Sequence, residues 1–337
     1  MPNIFDTLDQ AKGSTQELAD GQHFRGAVHF VSEQEADALK LALAAKRPLL
    51  VRGEPGSGKS QLARVAAKLL GAGEPLVEVI HPRFEPSDLL YRFDAMARML
   101  DAQLATSGQD GKDGGWDPTS EKYIEQGILW QAFLRAAEGR QRSVVLIDEI
   151  DKADADLPNS LLDVLGNRSF HVPMRKPELR RVTAHPAFNP LVIFTTNEER
   201  ELPAAFVRRC IVLNLNPPAD AGELRVWMLT RATAHAHRTG IVSADVVALA
   251  VDQTLADRAW MAKEGFPKVG LAEIVDLLNA LAELTEDLPA DLRPAEQHKL
   301  LGQLSAYGLV KHPVSDKGQG RQPIPALAPP GQAGPAA

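Results

Sequence analysis

Cysteine is nearly absent: Cys210 is the one thiol in 337 residues. No internal disulfide can form, which fits a reducing compartment and a cytoplasmic location. Aromatic residues are sparse, at 5%. No apolar run reaches the roughly 18 residues of a membrane-crossing helix, so no span is expected. Residues 1–20 lack a basic start and an apolar centre and carry Asp6, Asp9, Glu17 and Asp20, unlike a secretory signal. A basic excess is missing too. With 37 Lys and Arg against 44 Asp and Glu the net charge is −7, which leaves nucleic acid only a local basic patch to bind. The nine histidines show no metal-ligand spacing, and with one cysteine there is no zinc signature.

What is present is the makeup of a packed protein, 44% hydrophobic and 24% charged, and its length suggests two domains. Ser32 and Glu35 have the spacing of a capping box. Leu39 and Leu43 share one face of the helix that box starts, and the helix must stop before Pro48. Short leucine-rich or β-branched runs follow at Leu49–Arg52, Leu76–Ile80, Val144–Ile147, Leu191–Thr195 and Ile211–Leu215, with helical stretches between most of them. That alternation predicts an α/β fold on a five-stranded parallel sheet.

After Pro217-Pro218 the strand pattern ends, and residues 219–238, 243–264, 270–287 and 292–307 read as helices. In the third, Leu271, Ile274, Val275, Leu278 and Leu281 fall at helical spacing. The expected organisation is an N-terminal segment (1–21), an α/β core (22–217), a small helical domain (218–310) and a Pro/Gly/Ala-rich tail (311–337) read as disordered. Residues 106–120, glycine-rich and polar, read as a surface insertion.

The strongest chemical signal is Gly53-Glu54-Pro55-Gly56-Ser57-Gly58-Lys59-Ser60, followed by Gln61, a full G-x-x-x-x-G-K-[ST] match between a strand and a helix. Its glycines let successive backbone N–H groups turn inward around phosphate oxygens, and the helix N-terminus adds a positive field. Lys59 would reach the β- and γ-phosphates of ATP, and Ser60 would bind Mg²⁺. The second signal is Val144–Ile147 followed by Asp148 and Glu149, an apolar strand that delivers two carboxylates to the carboxyl edge of the sheet. Asp148 suits the Mg²⁺-associated aspartate, and Glu149 suits the group that activates water. Lys59 and Asp148 are 148 − 59 = 89 residues apart, a long gap to which the 106–120 insertion contributes.

Residues 49–60, 144–152 (VVLIDEIDK), 191–197 (LVIFTTN) and 202–209 (LPAAFVRR) together resemble the AAA+ ATPases, and within them the MoxR branch. The resemblance spans about residues 22–310 in the family's motif order. It implies an AAA+ P-loop core with a five-stranded sheet, a C-terminal helical lid, ATP held between them, and a ring, usually hexameric, whose sites are completed by neighbouring subunits. It makes Asn197 the polar residue that holds the attacking water with Glu149. It makes Arg209 or Arg208 the finger that reaches the neighbour's γ-phosphate, with the motif spacing favouring Arg209. At the lid position where the family has a nucleotide-contacting arginine, this sequence has Lys268, which keeps the charge but loses the bidentate fork. Stretches within 81–130 resemble the insertion that marks the MoxR side of the superfamily.

The resemblance implies a chaperone-like factor that remodels, assembles or activates partner proteins, among them proteins with von Willebrand factor A domains. Two other readings stay open. Arg175, Lys176, Arg180 and Arg181, in the hairpin expected over 169–190, form a basic cluster that a nucleic-acid-dependent motor would use; that cluster is equally a solvated loop or a pore-facing element. An ATP-binding assembly switch with little turnover is the other, against which Glu149, Asn197 and the arginine pair argue. Trp116, Trp130, Trp227 and Trp260 read as packing residues, and His235 and His237 as lid-surface residues.

Overall fold

The computed structural model describes residues 3–106, 116–139, 142–154, 156–309 and Ile324. The chain opens with α1 (Ile4–Ala11) and an antiparallel hairpin of β1 (Ser14–Leu18) and β2 (Ala27–Val31). The sheet-forming part runs α2 (Glu33–Ala45), β3 (Leu49–Arg52), α3 (Lys59–Leu69), β4 (Leu76–Val79), β5 (Tyr91–Phe93), α4 (Ala95–Thr106), β6 (Ile124–Gln126), α5 (Ile128–Gly139), β7 (Val144–Asp148), α6 (Asp156–Asn167), β8 (Ser169–His171), β9 (Arg181–Thr183), β10 (Leu191–Thr196), α7 (Ala204–Val207) and β11 (Ile211–Asn214). Four helices close the described chain: α8 (Ala221–Thr239), α9 (Ala244–Glu264), α10 (Leu271–Thr285) and α11 (Arg293–Gly308).

The five apolar runs pair into one parallel sheet in the order β11-β3-β10-β7-β4. Side chains alternate across a strand, so each run serves both faces, which is why it is apolar throughout rather than at every second position. Val144, Leu146, Leu191 and Ile193 face α1, α2 and α3, meeting Leu8, Leu39 and Leu62. Val145, Ile147, Val192 and Phe194 face the other way, against Trp130 and Phe133 of α5, Leu157 and Leu161 of α6, and Phe170 of the β8–β9 hairpin. Because the strands are parallel, Arg52, Asp148 and Thr196 end at one edge of the sheet.

The capping box forms as the spacing predicts: Ser32 accepts the Glu35 amide, and the Glu35 carboxylate takes the Ser32 amide at 2.7 Å. Among the described residues no strand follows Asn214. Met228, Val247, Ala250, Ile274, Leu278, Leu281 and Leu301 form a separate apolar cluster among α8–α11.

Two findings differ from the sequence expectation, and two of the segments it named lie largely outside the described residues. α1 and the β1–β2 hairpin stand where only an N-terminal segment with no assigned elements was read; β1 (STQEL) carries too little apolar patterning to register as a strand. Trp116 is exposed, whereas Trp130 is buried as a packing residue should be. Residues 107–115 of the insertion lie outside the described residues, and 116–120 form a turn in which Asp117 accepts the Thr119 amide. The tail also lies outside them, except Ile324, which packs on the α8–α11 cluster rather than standing free.

Candidate nucleotide site

A cleft of about 380 Å³ lies at the carboxyl edge of the sheet. It is walled by the 55–61 loop and helix start, by Asp148, Glu149, Thr195 and Asn197, by Val28, His29 and Phe30 of β2, and by residues of α8 and α10. The sequence motifs, scattered over 145 positions between Gly53 and Asn197, therefore share one wall.

The phosphate loop turns through two glycines with positive φ, Gly56 at 75° and Gly58 at 95°. At Gly56 a Cβ would stand 2.7 Å from the Ala272 Cβ of α10, so the glycine also allows the loop to touch the lid. Gly53 approaches the Leu215 carbonyl, where a Cβ would lie 3.0 Å away. Lys59, 7% exposed, donates to the Gly53 and Glu54 carbonyls, both at 2.8 Å. Burial pushes its ammonium below the ordinary lysine value, and the charges of Asp148, Asp151 and Glu149 oppose that push. The Ser57 hydroxyl is buried with no hydrogen-bond partner among the described residues. Gln61 accepts from Arg64 at 2.7 Å.

Ser60 Oγ donates to both Asp148 oxygens, at 2.9 and 3.1 Å. The Thr195 hydroxyl, from the adjacent strand, bonds Asp148 Oδ1 and accepts the Glu149 amide at 2.9 Å. Glu149 itself is left-handed, φ 59°, an uncommon state for a non-glycine residue that turns the chain sharply off the end of β7. Its carboxylate lies between Lys152 Nζ at 2.5 Å and Asn197 Nδ2 at 3.2 Å. Asp151, buried, takes the Glu199 amide at 2.9 Å and so ties the turn after β7 to the turn after β10. Thr195, Lys152 and Asp151 were not singled out from sequence; each lies within three residues of one that was, but no spacing rule distinguishes them.

The lid side differs from expectation in three places. Lys268 is exposed and does not line the cleft. The lid cation that does is Arg231 of α8, 4.1 Å above the Trp227 ring and 5.5 Å from the Phe30 ring. A second lid arginine, Arg258 of α9, grips the phosphate loop from outside the cleft. It donates to both Glu54 oxygens at 2.8 and 2.7 Å and to the Val269 carbonyl at 2.8 Å. His235 lines the cleft instead of the lid surface, and burial, with His29 and Arg238 adding to it, lowers its pKa to about 4. His237 is exposed, as expected. Beside the loop, His29 bonds Glu35 at 2.8 Å, and its ring would stand 3.1 Å from a Cβ on Gly58.

Residues 48–210 match the family model for the AAA domain of the dynein-related subfamily. This is an AAA+ P-loop fold. Relatives match over parts of the chain. A 157-residue stretch is 33% identical to chaperone protein ClpB of Chlamydia pneumoniae, covering 46% of this chain and 15% of that protein. A 139-residue stretch is 32% identical to probable chaperone protein ClpB 1 of Chlorobaculum tepidum, covering 39% of this chain and 26% of that one. The chain thus spans about a quarter or less of these relatives. Among solved structures, NtrX from Brucella abortus in complex with ATP aligns with a TM-score of 0.44 and 17% identity over 79% of this chain and 55% of its own.

Arg208 and Arg209 do not line the cleft. Both are exposed, and neither side chain makes a hydrogen bond or ion pair among the described residues. The basic cluster is largely spoken for. Arg175 bonds Glu121 and stacks on Trp130 at 5.0 Å, Lys176 pairs with Asp117 at 3.5 Å, and Arg180 and Arg181 donate to the Arg175 carbonyl and to Ser169. Arg175 and Lys176 are thereby paired with carboxylates, whereas Arg180 and Arg181 bond only neutral oxygens and keep their charge. No helix among the described residues is long and apolar enough to cross a membrane.

Proposed function

We propose that this protein is a MoxR-type AAA+ ATPase that hydrolyses ATP to ADP and phosphate in a ring of its own copies and remodels a partner protein as it does so. The observation that carries the reading is the meeting of Ser60, Asp148, Glu149 and Asn197 around the mouth of a glycine-built phosphate loop. Residues 22–217 act as the nucleotide-binding core and 218–310 as the lid.

ATP binds with its phosphates inside the 53–60 loop. Lys59 exchanges its two loop carbonyls for phosphate oxygens, and the orphaned Ser57 hydroxyl finds an acceptor there. Ser60 and Asp148 present hard oxygen donors side by side, a set that fits Mg²⁺, which takes few protein ligands and completes its shell with phosphate and water. When bound, Mg²⁺ neutralises charge developing on the phosphates. Glu149 takes the proton of the attacking water, and Asn197 holds that water and the Glu149 carboxylate together. For Glu149 to act, Lys152 must release it, which makes their ion pair a feature of the resting site.

The exposed, unpartnered Arg208 and Arg209 serve the neighbouring subunit's γ-phosphate, Arg209 being the favoured finger. The client is a protein, with a von Willebrand factor A domain as the class to test first. Phosphate release by wild type and Glu149→Gln decides the chemistry. Glu149→Gln should bind ATP and lose roughly 10²–10⁴-fold in turnover, the worth of a general base. Equal rates in the two proteins would sink the assignment. Glu149→Gln loaded with ATP should in turn retain the client in a pull-down that wild type with ADP does not.

A further inference from the structure

The short helix α7 ends in the two exposed arginines, and its end is held by a residue distant in sequence. The amides of Arg208, Arg209 and Cys210 are satisfied inside the turn, by the carbonyls of Ala204, Phe206 and Val207 at 3.0, 2.9 and 3.1 Å. The carbonyls of Arg208 and Arg209, just past the end of α7, accept none of these amides. Arg47 caps both, its Nε donating to the Arg209 carbonyl at 2.9 Å and its Nη2 to the Arg208 carbonyl. Two consecutive carbonyls in one guanidinium fork leave the peptide between them no freedom to rotate, and that peptide sets the direction in which the Arg209 side chain leaves the backbone.

Arg47 is itself anchored. Its amide bonds the Ala42 carbonyl at 3.0 Å behind the left-handed Lys46 cap of α2, and the next residue, Pro48, accepts the Ile211 amide at 2.8 Å where β11 joins β3. The fork thus fastens the 208–209 turn to the start of the strand that leads into the phosphate loop. This surface turn is held on both its exposed carbonyls as well as by its own amides, while the side chains of Arg208 and Arg209 have no partner among the described residues.

We infer that Arg47 is a positioning residue that aims the finger arginine at the neighbouring subunit's nucleotide; this rests on the proposed shared-site ATPase. Arg47 touches no nucleotide. A misplacement of about 1 Å at a reacting centre costs on the order of 100-fold in rate, so loosening the turn is enough to disable the neighbour's site. Lysine does not replace Arg47, because a single ammonium lacks the planar fork that spans two carbonyls.

The test measures phosphate release and binding of a fluorescent ATP analogue for Arg47→Ala, Arg47→Lys, Arg208→Ala and Arg209→Ala. Arg47→Ala should keep nucleotide affinity and lose about 100-fold in turnover, and Arg47→Lys, which retains the charge and the stem, should stay impaired even if the alanine variant folds poorly. Mixing Arg47→Ala with Glu149→Gln subunits should restore turnover, because the Glu149→Gln neighbour supplies an aimed finger to a site with an intact Glu149. A purely structural defect would not be complemented, so a loss that mixing leaves untouched overturns the inference. So does full activity of Arg47→Lys, or wild-type turnover of Arg47→Ala alongside an inactive Arg209→Ala or Arg208→Ala. Wild-type turnover in both finger variants would instead bring down the shared-site reading itself.

Discussion

Glu149 shows how far a residue's role depends on what stands beside it. Its left-handed backbone is stabilised by the Thr195 hydroxyl, and its side chain is shared between Lys152 and Asn197. Lys59→Ala removes the buried cation proposed to bind the phosphates, and titration with a fluorescent ATP analogue should show nucleotide affinity lost, not merely turnover. His235 is the residue the sequence places least well. A doublet of histidines four residues before the end of an amphipathic helix looks like surface, yet the helix turns one of them into the cleft.

The His235 shift has a pH consequence. Its folded pKa of about 4 lies below the free value of 6.5, so between those values the unfolded chain holds a proton that the folded chain does not. Stability is therefore full above pH 6.5 and falls as the pH drops towards 4, by up to about 3 kcal/mol from this residue. Urea midpoints at pH 7.5 and pH 5 should differ more for wild type than for His235→Asn; an equal difference would refute the burial of His235.

Among the elements, the ones that hold the cleft together are joined across long sequence distances. Helix α9 reaches the phosphate loop through Arg258 and Glu54, 204 residues apart, and α10 reaches it through the contact of Ala272 with Gly56. The lid is thereby fastened to the glycine loop, and in the proposed ATPase that link lets it respond to what the loop binds. Arg258 is buried and Glu54 partly exposed, so Arg258→Met should cost about 1–3 kcal/mol, the worth of hydrogen bonds to a charged group. It should also weaken nucleotide binding while leaving Lys59, Asp148 and Glu149 in place. A urea midpoint and an affinity both equal to wild type would show that the link carries nothing.

The helices and strands of the sheet were legible because two-faced apolar runs and a capping box are local signals. The lid's cation was not, since Arg231 and Lys268 are equally plausible in sequence. Which of them meets the cleft depends on the packing of α8 against β2, where Arg231 lies over the Phe30 ring.

At the scale of the whole molecule, the exposed arginine pair lies away from the cleft of its own subunit, so the proposed finger can act only on the site of a second copy. Sedimentation should show a larger species with ATP than without it, and Glu149→Gln should hold that species longest. A strict monomer under every nucleotide condition would rule out the ring. The curated relatives are about four to seven times longer than the stretch they share with this chain, as their 15% and 26% coverage shows, so nothing in them fixes the assembly.

By itself, the sequence determined the parallel sheet, the phosphate loop and the two carboxylates, because each is written in neighbouring residues whose spacing and apolarity have one physical outcome. It determined the elements of the lid for the same reason. Only the tertiary structure decided that Arg231 and His235 line the cleft while Lys268 does not, that Arg258 grips Glu54, and that Arg47 holds the turn of Arg208 and Arg209. Those are contacts between side chains tens to hundreds of positions apart, set by how helices dock on a sheet, and no local spacing encodes which long cation meets which carbonyl.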